Sequence, residues 1–469
     1  MARLNGMKII IVGATLVGTE LAEYLVQTGH AVTLIDLPSD ELTQIANRLD
    51  LRVIQGDPTW PSVLREAGAR NTELLVATSV SDEVNITTCC IATYLFNIPR
   101  KIARLRAPDF FDEADKLFGP QAIPIDHIIS PEQLMADAVS DLMEIPGVNA
   151  IQSFARDRII MTSVTCKEGG KLIGQPMDAL EQYEPKCKVV AVYRKGNPIT
   201  KFGQFKLSAG DEVILCVERA RALNLVGALM PLRPSGMDVV VQGGTHIADS
   251  IATRLAERYH VKLIEPDPNR AKRLAERLRG SKVELYCADA ADPNFVQEEK
   301  LYQTDSFIAA SAYDETNIMA ALMLQRTQKI RTIAVIRQLS TQDLRSTGSP
   351  IDTIISPRDA IISALLSLIL QEGLVKLRIF RHGQAEALEL LVQGDPRSSY
   401  VIGRKLEDLT LPPGVHFGIA LREKMIIKID QDYVFTPGDH VVVYLTDRMQ
   451  MRALVKLFKP RPFWVPHWR

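Results

Sequence analysis

Cysteine is scarce in this sequence, and its spacing fits neither a metal site nor a disulfide framework. Six cysteines occur among 469 residues, with no CxxC pair and no Cys/His spacing typical of zinc. Most of them stand in apolar runs, where a reduced, buried thiol is expected. We therefore expect no metal site, and a reducing compartment for the chain.

Long apolar segments and an excess charge are also missing. The most apolar run, 360–370, has 11 residues and is interrupted by two serines, whereas a membrane span needs about 20. The amino terminus leads straight into a strand and lacks the cleavage site of a signal peptide. A net charge of −1 provides no global attraction for nucleic acid. These features predict a cytoplasmic protein that neither crosses a bilayer nor binds nucleic acid.

Recognisable catalytic motifs are lacking as well. The eight histidines are scattered, without a triad partner or an HxxxH spacing. No serine, cysteine or lysine stands in a nucleophile motif. The sequence therefore predicts no catalytic residues, and we expect a protein that is not an enzyme.

What the sequence does contain is a duplication of domain size. PIDHIISP begins at Pro124 and PIDTIISP at Pro350, with seven of eight letters identical at an offset of 226. A solenoid unit is only about 20–50 residues long, so this repeat is a whole module. Further segments align in the same order: 80–86 with 312–318 (VSDEVNI, AYDETNI), 34–38 with 263–267 (LIDLP, LIEPD), and 209–213 with 437–441 (AGDEV, PGDHV).

Each copy alternates short apolar strands with helices, which predicts a doubly wound parallel sheet. The predicted strands are 7–12, 31–35, 51–54, 74–78 and 101–105 in the first copy, and 238–242, 261–265, 283–287, 306–309 and 332–336 in the second. Short alternating strands with Gly and Pro turns follow each block. The predicted fold is α/β, with two tandem Rossmann-like doubly wound domains, each followed by a small α+β subdomain.

The domain boundaries follow from these changes in the predicted secondary structure. An apolar helix follows each IISP motif, at 131–144 and 357–371, and the second is apolar on nearly every side, so it should be buried against another element or subunit. The segment PLRPSG at 231–236 reads as the linker between the halves. The predicted domains are 1–136 and 237–362 (nucleotide-binding), 137–230 and 363–458 (small subdomains), and a tail at 459–469.

The first strand-to-helix turn of each copy resembles a dinucleotide-binding fingerprint. In such a turn glycines permit the tight bend and the close approach of a pyrophosphate, and the helix amino terminus offers free N–H groups to the phosphates. The turn residues are Gly13, Ala14, Thr15, Leu16, Val17 and Gly18 in copy one, and Gly243, Gly244, Thr245, His246 and Ile247 in copy two.

An acidic residue follows each turn at the spacing of a ribose ligand. Asp36 lies 23 residues after Gly13, and Glu265 lies 22 after Gly243. A carboxylate there can accept both ribose hydroxyls, which favours NAD or adenosine over NADP, whose 2′-phosphate it would repel. The alternative interpretation is that the two acids merely end strands at the surface.

Both copies depart from the fingerprint at its second glycine. Thr15 and Thr245 occupy that position, so either the ligand sits further out or the hydroxyl donates a hydrogen bond to it. Copy two also has Ala248 in place of the third glycine. We therefore expect copy one to bind nucleotide more tightly than copy two.

Further candidates stand at the ends of later strands. Asp57 and Asp289 follow the third strands, where a carboxylate can reach an adenine amino group. Arg106 and Arg337 follow the fifth strands and could contact phosphate from their own or a neighbouring subunit. The alternative interpretation of these four residues is a solvated charge at a strand end. The ends of the fourth strands complete the predicted binding sites: Thr78, Ser79, Ala310 and Ser311.

With these motifs in view, residues 7–458 resemble the TrkA family, the regulatory subunits of bacterial Trk-type potassium uptake systems with tandem RCK (KTN) domains. The specific matches are LDLRVIQGD, VLREAGA, SDExNI, KIARLRAPD and PIDTIISPRDAIISALLS. The resemblance implies a cytosolic ring of identical chains, a tetramer, on the inner face of the membrane. NAD, NADH, ATP or ADP in the clefts would then bias a membrane channel subunit, and the IISP helices would serve as ring contacts.

Two other functions fit the fold. A doubly wound fold is also home to NAD-dependent oxidoreductases, but no acid/base group stands in a suitable motif. A stand-alone ligand sensor that uses the small subdomains is the other alternative. The tail FKPRPFWVPHWR could dock on a partner, rest at a membrane interface or be a disordered end.

Overall fold

The computed structural model describes residues 6–119, 121–199, 205–232, 236–290, 292–325, 330–338, 351–370 and 373–460. They fall into two compact units: Met1–Leu134 with Arg358–Ile369, and Met135–Pro357 with Leu370–Arg469. Residues 461–469 of the predicted tail and 233–235 of the predicted linker lie outside the described residues. The chain therefore enters the second unit twice, before and after the segment 358–369.

A six-stranded parallel sheet forms the centre of the first unit, because runs such as LLVA are buried on both faces. The strand order is β3-β2-β1-β4-β5-β6, so the winding direction reverses between β1 and β4. The strands are β1 (Lys8–Val12), β2 (Ala31–Asp36), β3 (Arg52–Gln55), β4 (Leu74–Ala77), β5 (Arg100–Arg104) and β6 (His127–Ile129). The helices are α1 (Leu16–Gln27), α2 (Asp40–Arg48), α3 (Pro61–Glu66), α4 (Asp82–Tyr94), α5 (Asp109–Asp112) and α6 (Ala114–Leu117).

A linking helix and a five-stranded antiparallel sheet come next along the chain. The helices are α7 (Pro131–Glu144), α8 (Asp178–Tyr183) and α9 (Arg219–Leu229). The sheet has the order β10-β9-β11-β8-β7. Its strands are β7 (Val148–Phe154), β8 (Ile159–Thr165), β9 (Cys187–Arg194), β10 (Asn197–Pro198) and β11 (Asp211–Glu218).

The second parallel sheet repeats the first, in the order β14-β13-β12-β15-β16-β17. Its strands are β12 (Asp238–Gln242), β13 (His260–Ile264), β14 (Val283–Tyr286), β15 (Ser306–Ala309), β16 (Arg331–Val335) and β17 (Thr353–Ile355). Its helices are α10 (His246–Leu255), α11 (Pro268–Arg277), α12 (Pro293–Glu298) and α13 (Asp314–Gln325).

The second linking helix, α14 (Pro357–Ile369), leads to another antiparallel sheet, in the order β18-β19-β22-β20-β21. Its strands are β18 (Leu374–Phe380), β19 (Ala385–Leu391), β20 (Val415–Arg422), β21 (Met425–Lys428) and β22 (His440–Leu445), and the helix α15 (Met451–Phe458) follows. The predicted fold class of two tandem Rossmann-like domains with small α+β subdomains is thus confirmed.

The structure also shows two strands that the sequence patterns did not predict. The other strands of the parallel sheets lie within one residue of their predicted bounds at each end. The IISP motifs, however, contain β6 and β17, which are only three residues each and pair along one side with β5 and β16. Because so short an edge strand shows little periodicity, its hydrogen bonds to the neighbouring strand reveal it and its sequence does not.

The two small sheets share one core within the second unit. Phe154 and Phe380 are buried in the same hydrophobic cluster as Tyr193 and Tyr444. The hydroxyl oxygens of those two tyrosines lie 3.0 Å apart, which satisfies both polar groups inside the cluster. The small subdomains are therefore joined to each other by buried apolar surface, although the sequence placed them more than 200 residues apart.

The repeated motifs AGDEV and PGDHV place a buried aspartate at the same point of each small sheet. Asp211 accepts from Nε and Nη2 of Arg194 at 2.7 and 2.8 Å. Asp439 accepts from the same two atoms of Arg422 at 2.7 and 2.8 Å. Bidentate pairs of this kind fix the geometry of both partners, so the motif ties a hairpin turn to a neighbouring strand.

Each linking helix ends against an arginine of the other copy. In the first unit, Nη2 of Arg100 donates to the carbonyl of Leu368 in the last turn of α14 at 2.5 Å. In the second unit, Nη1 of Arg331 donates to the carbonyl of Leu142 in the last turn of α7 at 2.6 Å. A cation there pairs with the negative end of the helix dipole. The two copies are thus cross-connected by equivalent contacts.

The predicted burial of the second linking helix is confirmed, and one chain is sufficient to provide it. The apolar face of α14 packs within the first unit, whose sheet belongs to the other copy. Its buried residues are Ile361, Ile362, Leu365, Leu366 and Ile369. These side chains are covered without a second subunit, so a ring contact through this helix would have to use its remaining surface.

The ion pair of Asp439 with Arg422 in the second small sheet gives a stability prediction. We expect Asp439→Asn to lower the free energy of unfolding by about 2–4 kcal/mol, because it leaves the guanidinium of Arg422 without its charged partner. Urea denaturation followed by circular dichroism measures the change. The exposed Asp432 provides a matched control, since Asp432→Asn should leave the midpoint unchanged.

The same pair should respond to acid. Burial opposes ionisation of Asp439, but hydrogen bonds from Arg422, Thr436 and Tyr433 outweigh it and lower the pKa of the carboxyl. Its contribution is therefore present above the ordinary aspartate pKa and is lost as the pH falls through the lowered value. The difference between wild type and Asp439→Asn should shrink below about pH 4, and a constant difference would contradict this assignment.

Candidate functional site

The first strand-to-helix turn of each copy (13–18 and 243–248) is called its phosphate turn below. Glycine is required at the start of both turns, because the backbone there has a positive φ and a close neighbour. Gly13 has φ +99°, and Gly243 has φ +123°. A Cβ atom on either would lie 2.7 Å from the Cα of Ser79 or Ser311, respectively, which is closer than carbon atoms approach. Each turn is therefore fitted against the segment that leaves the fourth strand of its sheet.

The two threonines of the turns cap the helices that follow them. Thr15 Oγ1 accepts from the N–H of Gly18 at 3.2 Å, and Thr245 Oγ1 accepts from Ala248 at 3.1 Å. Each hydroxyl also lies within donating distance of the end of the fourth strand, at the carbonyls of Thr78 (3.3 Å) and Ala310 (2.8 Å). The hydroxyls are thus occupied by the protein, and these bonds account for the threonines without a contact to ligand.

The capped helices still present free donors to a phosphate. Leu16 and Val17 open α1, and His246 and Ile247 open α10. The N–H groups of the first turn have no acceptor within the helix, and each threonine satisfies only the third of them. Backbone amides at a helix start attract anions, so both turns fit a phosphate group.

The acidic residue of each copy lies directly against its phosphate turn. Asp36 Oδ2 accepts from the N–H of Ala14 at 2.5 Å. Glu265 reaches over Gly244, where a Cβ atom would lie 2.5 Å from its Oε2. The longer acid is thus paired with the smaller turn residue. Both carboxylates therefore lie beside their turns, where Glu265 is only 2% exposed and Asp36 is partly exposed, and their role toward a ribose stays a prediction.

A buried asparagine fixes the loop after each fourth strand. Asn85 Oδ1 accepts from the N–H of Ser79 at 2.9 Å, and its Nδ2 donates to the carbonyl of Arg104 at 2.9 Å. Asn317 makes the same bonds to Ser311 (2.8 Å) and Val335 (2.8 Å). The side chain therefore joins the fourth strand to the fifth beside the phosphate turn.

The aspartate of the same SDExN motif holds the start of the next loop. Asp82 Oδ2 accepts from the N–H groups of Arg106 and Ala107, both at 2.9 Å. Asp314 accepts from Arg337 at 3.0 Å and from Gln338 at 2.7 Å. The sequence showed this segment as a repeat, SDEVN in copy one and YDETN in copy two, but assigned it no role. Its recurrence after each fourth strand, with the aspartate and the asparagine in the same places, was the signal for these positioning residues.

The arginines predicted after the fifth strands make equivalent backbone contacts, but their side chains make different ones. Arg337 Nη1 donates to the carbonyl of Ser311 at 2.7 Å, and burial lowers the pKa of this arginine. In copy one the equivalent bond, to the carbonyl of Ser79, comes from Arg104 and not from Arg106. Burial lowers the pKa of Arg104 to about 10. The side chain of Arg106 is exposed. Arg106 therefore remains the better placed of the two to meet a ligand.

The remaining candidates lie at the ends of the third strands. Asp57 is partly buried, and its Oδ1 accepts from the N–H of Thr59 at 2.9 Å and from its hydroxyl at 2.7 Å. Asp289 is exposed. The role of both residues toward adenine stays a prediction.

Within the described residues, no group of three or more His, Cys, Asp or Glu side chains is arranged to hold a metal ion. No helix in the same part of the chain is both long and apolar enough to cross a membrane.

Comparison with known proteins agrees with this geometry. The family model described as TrkA-N domain matches residues 9–131 and 239–357, which are the two parallel-sheet domains. In fold the chain is similar to the structure named "Crystal Structure of the GsuK RCK domain", with a TM-score of 0.58, 15% identity, and coverage of 97% of this chain and 96% of that one. A structure named "GsuK channel bound to NAD" gives a TM-score of 0.57 and 16% identity, over 96% of this chain and 78% of that one.

Whole-chain relatives share the same organisation. The "Trk system potassium uptake protein TrkA" of Haemophilus influenzae is 38% identical over 461 residues, which cover 98% of this chain and 100% of the relative. The protein of the same name from Vibrio alginolyticus is 37% identical, over 98% of this chain and 100% of its own length. With two TrkA-N domains in tandem and relatives at this identity over its whole length, the chain belongs to the TrkA family.

Proposed function

We propose that this chain is the nucleotide-binding regulatory subunit of a potassium uptake system and gates a membrane channel subunit. The proposal rests on the presence of two phosphate turns, one in each copy. Gly13 and Asp36 of copy one correspond to Gly243 and Glu265 of copy two. We infer the transport process from the names of the whole-chain relatives, and the class of ligand from the GsuK channel that is named as bound to NAD. The chain would act at the inner face of the membrane as a ring of identical copies, expected to be a tetramer.

The residues of the first cleft fit NAD or NADH, with ATP or ADP as further ligands. The N–H groups of Leu16 and Val17 would hold the phosphates, and the carboxylate of Asp36 would accept the ribose hydroxyls. Since a bound ribose would compete with Ala14 for this carboxylate, binding should loosen its bond to the turn. Ligand binding would thereby alter the contacts of the turn itself.

A chain of contacts connects each cleft to a linking helix. In the first unit, Asn85 joins the loop beside Gly13 to the end of β5, and β5 begins at Arg100, which holds the end of α14. In the second unit, Asn317 and Arg331 make the equivalent connections to α7. A nucleotide would shift the ring between two shapes only as far as its affinities for the two shapes differ.

A regulatory role is favoured over the alternatives by the contacts in the clefts. The named side chains around both phosphate turns bond to backbone groups, and none is an acid/base group paired with a nucleophile. The relatives are named as transport proteins. A stand-alone sensor or an NAD-dependent oxidoreductase would have to act without a membrane partner, which provides the decisive experiment.

The chain should be co-purified with a multi-span Trk-type potassium channel subunit from the same organism and reconstituted in vesicles. We expect potassium flux to change when NADH, ATP or ADP is added, and to stay constant in vesicles that hold the channel subunit alone. Turnover of NADH by the isolated chain, or flux that ignores every nucleotide, would contradict the proposal.

The acidic residues give a binding prediction. Asp36→Ala should weaken NADH binding about 10–100-fold, because a charge-assisted hydrogen bond contributes about 1.5–3 kcal/mol. Glu265→Ala should cost less, since that carboxylate is already covered in the protein. Isothermal titration calorimetry measures both, with the exposed Asp40→Ala as control. A greater total loss from Glu265→Ala would overturn this ranking.

The cross-connection gives a prediction on gating. Arg331→Gln should leave nucleotide affinity within about twofold, since Arg331 lies at the strand end away from the cleft, while it reduces the nucleotide response of the flux. Arg100→Gln is the equivalent change in the first unit. The exposed Arg279→Gln serves as a control for lost charge. If flux in both arginine variants responds to nucleotide as in wild type, the linking helices do not transmit the signal.

A further inference from the structure

An exposed apolar row borders the first cleft. It consists of one large side chain after each of four adjacent strands, in the sheet order β3-β2-β1-β4. These side chains are Trp60 (61% exposed), Leu37 (57%), Leu16 (48%) and Val80 (67%). The carboxyl ends of parallel strands form one edge of the sheet, so the row runs along the ligand side of the fold. Exposed apolar surface at such an edge marks a binding site.

The second cleft has different residues at the same four positions. The repeat aligns Leu16 with His246 and Leu37 with Pro266. It aligns Trp60 with Asp292 and Val80 with Ala312. These four positions of the second cleft therefore lack the apolar row, and Tyr313 (63% exposed) is the large exposed ring that follows its fourth strand. The phosphate turn, its threonine cap and its acid are all present.

Cationic side chains border the second cleft instead. Arg277 Nη1 lies 3.0 Å from Nδ1 of His246, and its Nη2 lies 2.7 Å from Oδ2 of Asp249. His246 opens α10, so this guanidinium stands at the phosphate end of the helix. Arg270 lies 3.8 Å from Oε1 of Glu265, beside the place of the ribose.

The helix after the second strand shows the same difference between copies. In copy one its sequence is DELTQIANR, with a single basic residue. In copy two it is PNRAKRLAER, with four basic residues and one acid. An anionic ligand therefore meets a more positive field in the second cleft than in the first.

A buried amide distinguishes the second cleft further. Gln242 directly precedes the phosphate turn, is 3% exposed, and occupies the position of Val12 in copy one. Its Oε1 accepts no hydrogen bond from the part of the chain that the structure describes. A buried acceptor without a donor is costly. The strand beneath the second turn is therefore more polar than the strand beneath the first.

We propose that the two clefts select different nucleotides. The first takes a dinucleotide of the NAD type, because its apolar row can pack against flat rings at both ends of the ligand. The second takes an adenosine polyphosphate such as ATP, because Arg270 and Arg277 can neutralise a longer phosphate chain. The inference rests on the proposed nucleotide-binding function and names the ligand class of each cleft.

Titration of the full chain with NADH, with ATP and with both together tests the proposal. We expect one NADH and one ATP per chain, and saturating ATP should leave NADH binding in place. Because NADH absorbs where tryptophan emits, NADH should quench Trp60 by energy transfer. The variant Trp60→Phe should abolish that part of the quenching, because it removes the indole that transfers the energy.

Two sets of substitutions separate the clefts. Trp60→Ala should weaken NADH about 10-fold and leave ATP unchanged. Arg270→Gln with Arg277→Gln should weaken ATP at least about 10-fold and leave NADH unchanged. Leu95→Ala, an exposed apolar change at the far end of α4, and Arg279→Gln are the matched controls. Circular dichroism checks that each variant is folded.

The outcomes distinguish this inference from the function on which it rests. If NADH and ATP displace each other at both sites, or both sets of substitutions weaken both nucleotides alike, the clefts are equivalent and the inference is wrong. If the arginine variants weaken only NADH, the assignment is reversed and also wrong. If the wild-type chain binds neither nucleotide, the proposed function fails together with it.

Discussion

The structure of both clefts depends on one close approach between the phosphate turn and the end of the fourth strand. A glycine with positive φ lets the turn meet Ser79 or Ser311, and the threonine two residues later reaches the carbonyl at the end of that strand. Every other feature of the cleft builds on this contact, because it fixes where the helix begins. The acid of the second strand and the asparagine of the SDExN loop then approach the same turn from either side.

This constraint explains how a threonine can stand where a dinucleotide fingerprint has glycine. A glycine in that position would leave the third amide of the helix without its cap, which costs about 1 kcal/mol or less. With threonine, one hydroxyl caps the helix and ties two strands together. The turn is thereby more rigid, and its remaining amides are held in place before a phosphate arrives, which lowers the entropic cost of binding.

Much of this organisation could be predicted from local patterns in the sequence. The apolar runs located the longer strands, and the glycines and acids located the turns, because both signals depend on residues close together in the chain. The pairing of α14 with the first unit could not be predicted, since Arg100 and Leu368 are 268 residues apart. The different contacts of Arg106 and Arg337 are local and have another cause. Copy one has Arg104 at the position of Val335, so Arg104 reaches the carbonyl of Ser79 and Arg337 makes the equivalent contact in copy two. A repeat that matches Arg106 with Arg337 does not show which of two nearby arginines makes the contact.

The two copies have diverged in a way that preserves both clefts. Asp36 faces Ala14, whereas the longer Glu265 faces Gly244, so each carboxylate fits against its turn without a clash. Exchange of one member alone would disturb the fit, because an alanine at 244 would place its Cβ 2.5 Å from Oε2 of Glu265 and would force that side chain to move. A copy that had merely decayed would have no physical reason to keep such a fit together with its cap and its SDExN loop. Several changes lie at the mouth of the cleft, where the exposed Leu16 and Trp60 correspond to His246 and Asp292. Another, Gln242 in place of Val12, lies beneath the turn. The cap, the acid and the asparagine that fix each turn are retained in both copies, so the proposed difference in ligand would arise from these changes and not from the turn itself.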